Sequence, residues 1–360
     1  MTEHEYLIAL STFTSFGPVR TRLLLSFFKN ASKVWKANES ELTEIGLGKG
    51  LTEKFIEHRN KFDTDEYFNK LKKLEVNPIT IFGDDYPENL KEIADAPYVL
   101  YVKGKLKISD SRAVAIIGSR LMTSYGREIA RKFASGLSDY GITIVSGLAL
   151  GVDAEAQRSA LSAGGRTIAV LASGLDIITP STNKTLALEL IKGSGAIVSE
   201  YPLGHVPFPS DFAVRNRLIS GLSKAVLVVE GRIKSGTFHT VNAAASQGRP
   251  VFAVPGPITS PTSEGTNYLI QNGAKLTTSI RDILEELNME VMVDREKVEK
   301  VMPGGKVEAK ILKFMEREPL HLDEIVRTSG LTTAEVSARL TIMEMKGMVK
   351  NVGNGIYRKC

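Results

Sequence analysis

Short apolar runs alternate with longer amphipathic segments through the middle of the sequence. Six apolar runs rich in β-branched residues predict strands at 113–117, 142–145, 167–171, 196–198, 225–229 and 251–254. The segments between them predict helices at roughly 126–140, 152–163, 182–193, 212–222 and 237–247. Continuously apolar strands, each followed by a helix, are typical of βαβ units. The pattern therefore predicts an α/β fold with a doubly wound, buried parallel sheet, which residues 97–102 enter as an edge strand.

A different pattern precedes this sheet. Residues 1–75 predict short helices in which an apolar helix, a glycine-containing turn and a second helix occur twice, around Gly17-Pro18 and around Gly46, Gly48 and Gly50. This arrangement is typical of a tandem helix-hairpin-helix module, whose tight turns expose backbone N–H groups to phosphates. A small helical packing domain fits the same pattern, and both interpretations stay open.

The C-terminal part predicts another separate unit. Residues 281–310 form a charged connector that is interrupted at Pro303-Gly304-Gly305. Beyond it, three helical segments precede a short hairpin with an Asn354-Gly355 turn, the pattern of a winged helix-turn-helix. The expected domains are therefore 1–75 (helix-hairpin-helix-like), 85–285 (the α/β core) and 306–360 (winged-helix-like).

Composition excludes several classes of protein. The single cysteine, Cys360, cannot form an internal disulfide or a cysteine-rich zinc site. The five histidines are scattered without ligand spacing, so no metal or other cofactor is expected. The first residues lack the features of a signal peptide, and no apolar run approaches the ~20 residues that span a bilayer. We expect a cytoplasmic protein that is not associated with a membrane.

The distribution of charge points to a polyanionic partner. The net charge is +5, and residues 112–280 carry 16 basic and 10 acidic side chains, whereas residues 1–111 carry 16 and 17. A positive excess confined to the α/β segment is what a nucleic-acid-binding surface requires.

The first predicted strand of the core ends in a motif suited to phosphate. Gly118 allows close backbone approach, Ser119 offers a hydroxyl, and Arg120 carries a planar, permanently charged group. The next helix opens at 124–126, and its N–H groups also favour anions. The G-x-G-x-x-G and P-loop fingerprints are absent, so neither a dinucleotide site nor a P-loop ATPase is predicted.

Two later loops add candidate ligand groups. Ser146 and Gly147 end the second strand, and Asp153 in the following helix is interpreted as an acid that stabilises the dipole of its own helix. Asn183 and Lys184 lie in the first turn of a helix, where a lysine opposes the helix dipole unless an anionic ligand offsets it.

The remaining candidates lie in two further segments. Arg215, Asn216 and Arg217 fall on one helix, and because the two arginines point about 200° apart, only one is expected to face the core. Ser235, Gly236 and Thr237 precede an alanine-rich helix and aim small polar groups at an anion. On the arginine-bearing helix, Phe208 and Phe212 are expected to pack in the core, although stacking on bases stays open. No set of catalytic residues is complete.

Taken together, these strings resemble the DNA-processing protein A family (DprA, also called Smf). The resemblance covers about 85–280 and rests on GSRLMTSYG, SGLALGVDAEAQ, GLDIITPSTNK, VSEYPLG, RNRLISGLS and SGTFHTVNAAASQGRPVFAVPG in this order. It implies an extended Rossmann-like core that dimerises and binds single-stranded DNA. It also implies that the protein protects the incoming strand and loads a RecA-type recombinase on it in natural transformation (competence).

The resemblance also implies site residues and one departure. The Gly-Ser-Arg of the family falls on residues 118–120, its lysine on Lys184 and its Arg-Asn-Arg on residues 215–217. Thr179 stands where a tyrosine often precedes the proline, which puts base stacking at that position in doubt but not phosphate binding.

Two alternatives are weighed against a DNA-binding protein that is not an enzyme. The first is a nucleotide-phosphate-handling enzyme similar to the lysine-decarboxylase-like phosphoribohydrolases, which carry P-G-G-x-G-T-x-x-E with a catalytic glutamate. The corresponding stretch here ends at Phe238 and His239 without that glutamate, which favours binding over hydrolysis. The second is a transcription factor that reads bases with the helix at 332–346. Its only basic residues are Arg339 and Lys346, so a protein contact or an auxiliary DNA role is favoured.

Overall fold

The structure is a computed structural model that describes residues 1–193, 195–289, 306–315, 318–345, 347–353 and 355–359. The chain forms two compact units, Met1–Glu290 and Val291–Cys360. The predicted boundaries at 1–75, 85–285 and 306–360 stay predictions. The connector break at 303–305 and the residues Asn354, Lys346 and Cys360 lie outside the described residues.

A nine-stranded sheet forms the centre of the first unit. Its strands are β1 (Val76–Thr80), β2 (Val99–Gly104), β3 (Ala113–Ile117), β4 (Thr143–Ser146), β5 (Thr167–Val170), β6 (Ala196–Ser199), β7 (Ala225–Val228), β8 (Val251–Ala253) and β9 (Lys275–Leu276). Their order in the sheet is β1-β2-β6-β5-β4-β3-β7-β8-β9. The strands from β6 to β9 pair in parallel, and β1 and β2 add an antiparallel edge.

Helices cover both faces of this sheet. They are α1 (Glu3–Ser11), α2 (Pro18–Phe28), α3 (Ala31–Lys36), α4 (Glu39–Glu44), α5 (Lys49–Lys61), α6 (Thr64–Lys73), α7 (Glu88–Lys91), α8 (Ser124–Asp139), α9 (Val152–Ser162), α10 (Lys184–Lys192), α11 (Pro209–Gly221), α12 (Thr237–Ser246), α13 (Glu264–Gln271) and α14 (Ile280–Glu286). Short 3₁₀ turns cover Ile108–Arg112 and Ser181–Asn183.

The predicted Rossmann-like, doubly wound fold is confirmed. From β3 the chain adds β4, β5 and β6 on one side and then returns to place β7 on the other side of β3. Every residue of β3 is buried, as expected for a parallel strand that is covered on both faces. The reversal of strand order between β3 and β7 is the place where open α/β sheets bind ligands.

One prediction about the sheet is wrong. Residues 97–102 were expected to form an edge strand, but β2 pairs with β6 on one side and with β1 on the other. The actual edge is β1, in which Asn77 and Pro78 interrupt the apolar pattern. Proline lacks an N–H for the ladder and is tolerated at an edge, so the residue that obscured this strand also explains its place.

The core lies in layers on the two faces of the sheet. Helices α7, α11, α12 and α13 pack on one face. Helices α8, α9 and α14 pack on the other, together with a cluster in which α10 and the N-terminal helices join the sheet. The side chain of Tyr101 in β2 is fully buried in that cluster, and its hydroxyl hydrogen-bonds Ser11 Oγ of α1 at 2.7 Å. The N-terminal helices therefore share a core with the sheet.

The second unit is a winged helix, as predicted. Its described elements are α15 (Lys306–Phe314), β10 (Leu320–His321), α16 (Leu322–Ser329), α17 (Thr333–Met345), β11 (Val349–Gly353) and β12 (Ile356–Lys359). The three strands form one antiparallel sheet in the order β10-β12-β11. A separate apolar cluster that includes Ile311, Ile325 and Leu340 holds the helices against this sheet.

Candidate nucleic-acid interface

A cleft of about 520 Å³ opens where the strand order reverses, beside the carboxyl ends of β3 and β7. It brings together eight predicted site residues, which come from the loops after β3 and β7 and from α11. These are Gly118, Ser119, Arg120, Arg215, Asn216, Ser235, Gly236 and Thr237. Asp153 and Arg232 line the same cleft. The fold thus brings these motifs together at one site.

Besides Arg232, Arg120 is an exposed cation of the cleft. Its guanidinium lies over the ring of Phe212, 5.7 Å from the ring centroid. Ser119 Oγ accepts a hydrogen bond of 3.1 Å from the backbone N–H of Leu121 and so shapes the turn that carries Arg120. Contact with an aromatic face orients the guanidinium without neutralising it, so its charge stays available to a phosphate.

The helix N-terminus that faces the cleft belongs to α12. Gly236 precedes its first residue, Thr237, and both line the cleft. The first turn contains no acidic residue, and a Cβ at Gly236 would meet no atom within 4 Å. Asn216 approaches from α11 and donates from Nδ2 to the carbonyl of Gly236 at 3.2 Å. Unfilled space in front of an uncapped helix start is suited to an anionic ligand.

The start of α8 also lies next to the cleft, but it is not an open anion-binding site. The Glu230 carboxylate accepts hydrogen bonds from the backbone N–H of Thr123 at 2.9 Å and from the hydroxyl of Thr262 at 3.1 Å. A Cβ at Gly126 would lie 2.1 Å from Glu230 Oε2. The expectation that residues 124–126 open an anion site is therefore wrong, because the chain supplies its own anion there.

Arg215 lies beneath the cleft. Only 4% of its surface is exposed, and its Nη1 donates to the carbonyls of Gly147, at 2.9 Å, and of Val170. Burial lowers the pKa of Arg215 to about 10, although the negative charge of Asp153 partly offsets this effect. The guanidinium is still charged at neutral pH, but its donors are engaged in holding the loop after β4.

Asp153 has a different environment from the one expected. It is buried, and its Oδ2 accepts a hydrogen bond of 3.0 Å from the N–H of Gly147. Burial raises the pKa of Asp153, while Arg215 and the N–H donors lower it. A Cβ at Gly147 would lie 2.7 Å from Arg215 Nη2 and 2.9 Å from Asp153 Oδ2, so glycine is needed where these groups converge.

The predicted residues of the strand ends also support the site from within. The hydroxyl of Ser146 is fully buried and donates to the carbonyl of Ile116 in β3 at 2.7 Å. A Cβ at Gly118 would lie 2.8 Å from Val152 Cγ2 and from the carbonyl oxygen of Glu230. Gly118 thus allows close packing of protein atoms, and the expected approach of a ligand to its backbone stays a prediction.

Asn183 and Lys184 lie beside the cleft at the start of α10. Asn183 is buried, and its Nδ2 donates to the carbonyl of Leu148 at 2.8 Å. This bond ties the helix start to the loop whose Ala149 lines the cleft. Lys184 is the first residue of α10 and is exposed.

Arg217 lies apart from the cleft. Its Nη2 contacts Glu200 Oε2 at 2.6 Å, and its Nε contacts Asp95 Oδ2 at 3.1 Å. Its side chain is about as buried as that of Glu200. The prediction that only one arginine of the pair faces the interior is therefore wrong. Arg215 turns under the cleft and Arg217 turns towards the loops beside β2 and β6, where each finds acceptors.

Glu230 was not among the predicted site residues, and the predicted environment of Phe208 is wrong. Glu230 directly follows the apolar run of β7, and an acidic residue at the end of a buried strand beside the reversal point is a signal that could have been used. Phe208 was expected in the core, but 67% of it is exposed at the start of α11.

No group of three or more histidine, cysteine, aspartate or glutamate side chains within the described ranges is arranged to hold a metal ion. The same residues contain no helix of the length and apolarity needed to cross a bilayer.

These features define a class: a Rossmann-like α/β protein with a positively charged cleft at the reversal point and a C-terminal winged helix. Comparison with known proteins gives the family. The family described as DNA recombination-mediator protein A matches residues 77–288, and the DprA winged helix domain matches residues 300–355. The chain belongs to the DNA recombination-mediator protein A (DprA) family.

Individual relatives agree with this assignment. The chain is 35% identical over 395 residues to Protein Smf of Synechocystis, with 99% of both chains covered. It is similar to the X-ray structure of DNA processing protein A from Streptococcus pneumoniae, with a TM-score of 0.69, 34% identity and coverage of 79% of this chain and 98% of that one. A structure that describes the single-stranded DNA binding mode of DNA processing protein A from Helicobacter pylori has a TM-score of 0.54 and 32% identity, and covers 60% and 96%.

Proposed function

We propose that this protein binds single-stranded DNA in the cleft between β3 and β7 and acts in DNA processing during natural transformation. The observation that carries the proposal is the exposed guanidinium of Arg120, held on the face of Phe212 in a cleft that the uncapped start of α12 also lines. A charged donor and a helix start without a side-chain cap in one cleft suit a phosphodiester backbone. The Helicobacter pylori relative, whose structure describes single-stranded DNA binding, supports the same ligand.

The predicted residues take different roles in this proposal. Direct contact with the strand is assigned to the accessible groups, which are Ser119, Arg120, Lys184, Asn216, Gly236 and Thr237. It is also assigned to Ser235, whose hydroxyl lines the cleft region but is buried without a hydrogen-bond partner among the described residues. Support of the loops is assigned to the buried or tightly packed ones, which are Gly118, Ser146, Gly147, Asn183 and Arg215. DNA contact by Arg217 stays a prediction that its two ion pairs do not favour.

Lysines at the two ends of α10 allow a matched test. Lys184 begins the helix beside the cleft, whereas Lys192 ends it, about 12 Å away, and both are exposed. We expect Arg120→Ala and Lys184→Ala to weaken binding of a fluorescent oligothymidine at every salt concentration. Each should also reduce the slope of log K against log salt by about 0.7 for each lost phosphate contact. Lys192→Ala should bind as the native protein does. Native affinity in both site variants would refute the assignment.

A non-catalytic role is part of the proposal. Thr240, the third residue after Thr237, occupies the position where the phosphoribohydrolase motif would require glutamate, and the Asp153 carboxylate is buried against the Gly147 N–H. Release of base from nucleoside 5′-monophosphates by the purified protein would contradict this part. DNA binding could still be tested separately.

We further infer that the protein acts in the cytoplasm as a homodimer and passes the bound strand to a RecA-type recombinase. Family membership supports this inference. Light scattering of the purified protein tests the dimer. Recombinase assembly on oligothymidine that is pre-coated with a single-strand-binding protein tests the transfer. Assembly that is no faster with this protein than without it would contradict the transfer.

A further inference from the structure

Helix α2 carries an exposed apolar stripe that the proposed DNA site does not use. Val19, Leu23 and Phe27 are 71%, 47% and 50% exposed. Because they are four residues apart, they lie on one side of the helix, over a length of about 12 Å. The opposite side of α2 is buried through Thr21, Leu24 and Phe28 in the core. These three side chains are called the α2 stripe below.

The α2 stripe is bordered by positive charge. At about 100° per residue, Arg20 and Arg22 project on opposite sides of it, and Lys29 follows the last turn. All three are exposed, and their recorded hydrogen bonds go to the carbonyls of Ser15, Ala94 and Ser26. None of them pairs with a carboxylate of another residue that the structure describes. Helix α2 itself contains no acidic residue.

We propose that the α2 stripe is a docking surface for an acidic amphipathic helix of a partner protein. Apolar side chains at four-residue spacing match the ridges of a second helix. Arginines on both borders match carboxylates placed beside the apolar seam of that helix. Such flanking charges select the partner and its orientation, while the apolar contacts supply most of the affinity.

Charge and side-chain type disfavour a second copy of this chain or single-stranded nucleic acid as the occupant of the α2 stripe. A second copy of α2 would bring the same arginines together, and like charges across an interface are unfavourable. Single-stranded nucleic acid is bound through stacking on aromatic faces along a basic groove, whereas only Phe27 of the stripe is aromatic.

The test uses the full-length protein and defined probes. The first probe is a fluorescein-labelled amphipathic peptide of about 18 residues, with leucines along one face and glutamates on both borders. The second probe has the same leucines with lysines in place of the glutamates. We expect the acidic peptide to bind at least about tenfold more tightly than the lysine peptide, because only its borders complement Arg20 and Arg22.

Three variants separate the apolar contribution to peptide binding from the charged one. Leu23→Ser combined with Phe27→Ser should lower the affinity for the acidic peptide by about tenfold or more, since both side chains are expected to be central contacts. Arg20→Glu should reduce the preference for the acidic peptide. Phe82→Ser is the matched control, because Phe82 is 71% exposed but lies outside the stripe, and this variant should bind as the native protein does. Equal thermal midpoints would show that the variants fold.

Four results would overturn the proposal. The first is equal affinity for the two peptides. The second is stripe-dependent binding to phosphatidylglycerol vesicles with no binding of the acidic peptide, which would assign the surface to a membrane. The third is loss of oligothymidine affinity in the Leu23→Ser, Phe27→Ser variant, which would assign it to DNA. The fourth is a change of oligomeric state in that variant, which would assign it to a second copy of this chain.

Discussion

Three arginines of this protein have the same chemistry but different environments. Arg120 is exposed and stacked on Phe212, Arg215 is buried under the loop after β4, and Arg217 pairs with two carboxylates. An arginine binds a phosphate of DNA only if its donors are free and its charge is not compensated. By this criterion we expect Arg120 to contact the strand, whereas Arg215 supports the loop under the cleft and Arg217 is engaged in ion pairs apart from it.

Phe208 gives a prediction that separates stacking from charge. Its exposed ring lies at the start of α11, one turn before Phe212. We expect Phe208→Ala to weaken oligothymidine binding by roughly 1–3 kcal/mol, the contribution of one stacked base. Because no charge is removed, the salt dependence should stay that of the native protein, in contrast to Arg120→Ala. Full affinity in Phe208→Ala, measured by fluorescence anisotropy, would exclude stacking on this ring.

Glu230 gives a prediction about stability. Glu230→Ala removes the acceptor for the N–H and hydroxyl of Thr123 and for the hydroxyl of Thr262. The free energy of unfolding should fall by roughly 1–3 kcal/mol in urea titrations, since three partly buried donors lose their acceptor. Sulfate should restore part of this loss by occupying the vacated start of α8.

Glu264→Ala provides the control for that prediction. Glu264 is likewise an acid at a helix start, because it lies in the first turn of α13, but it is exposed. Its removal should change the free energy of unfolding little, and sulfate should not stabilise this variant more than the native protein. Equal effects of the two substitutions would show that Glu230 has no special role at α8.

At the scale of elements, the parallel strands β3 to β8 were predictable, whereas the antiparallel edge and the short parallel strand β9 were not. Strands β3 to β8 are buried on both faces, so their sequences are apolar without alternation and stand out from the helices. Strand β1 has one exposed residue and Pro78 among its five, so its local pattern does not identify a strand. Antiparallel pairing with the neighbouring strand β2 is what makes these residues a strand.

The hydrogen bonds between the N-terminal helices and β2 give a prediction about stability. Tyr67 Oη of α6 donates to Tyr101 Oη of β2 at 3.1 Å, and Tyr101 also bonds Ser11 of α1. Burial raises the pKa of Tyr101 to about 12, so this group is neutral at physiological pH. We expect Tyr101→Phe to lower the free energy of unfolding by about 1–2 kcal/mol, because a buried hydroxyl loses its acceptor. Urea titration measures the change.

Tyr98→Phe is the matched control, because Tyr98 immediately precedes β2 and is only half-buried. It should change the free energy of unfolding much less. A Tyr101→Phe variant as stable as the native protein would mean that the hydroxyl network does not contribute to joining the N-terminal helices to the sheet.

At the scale of the whole molecule, the two units have separate cores. The three apolar clusters of the first unit contain no described residue beyond Met289, and the cluster of the winged helix contains only residues from Ile311 onwards. A domain whose core is contained within it can fold alone. The N-terminal helices, in contrast, contribute directly to the core under the sheet.

A truncation tests this organisation. A chain that ends at residue 290 should unfold cooperatively at the midpoint of the corresponding transition in the full-length protein, as measured by calorimetry. It should also keep most of the affinity for oligothymidine, because the proposed site lies between β3 and β7. If nearly all affinity were lost, the winged helix and not the cleft would be the main DNA site.

The class of fold, the positions of strands β3 to β8 and the loops that meet at the cleft follow from the sequence alone. These features are local, since burial on both faces sets the composition of a strand and a tight turn requires glycine or small polar residues. Only the tertiary structure decided which charges are free. Whether Arg215 or Arg217 is neutralised, and whether Glu230 fills the start of α8, depends on partners that are distant in the sequence and are brought close only by the packing of the sheet and its helices.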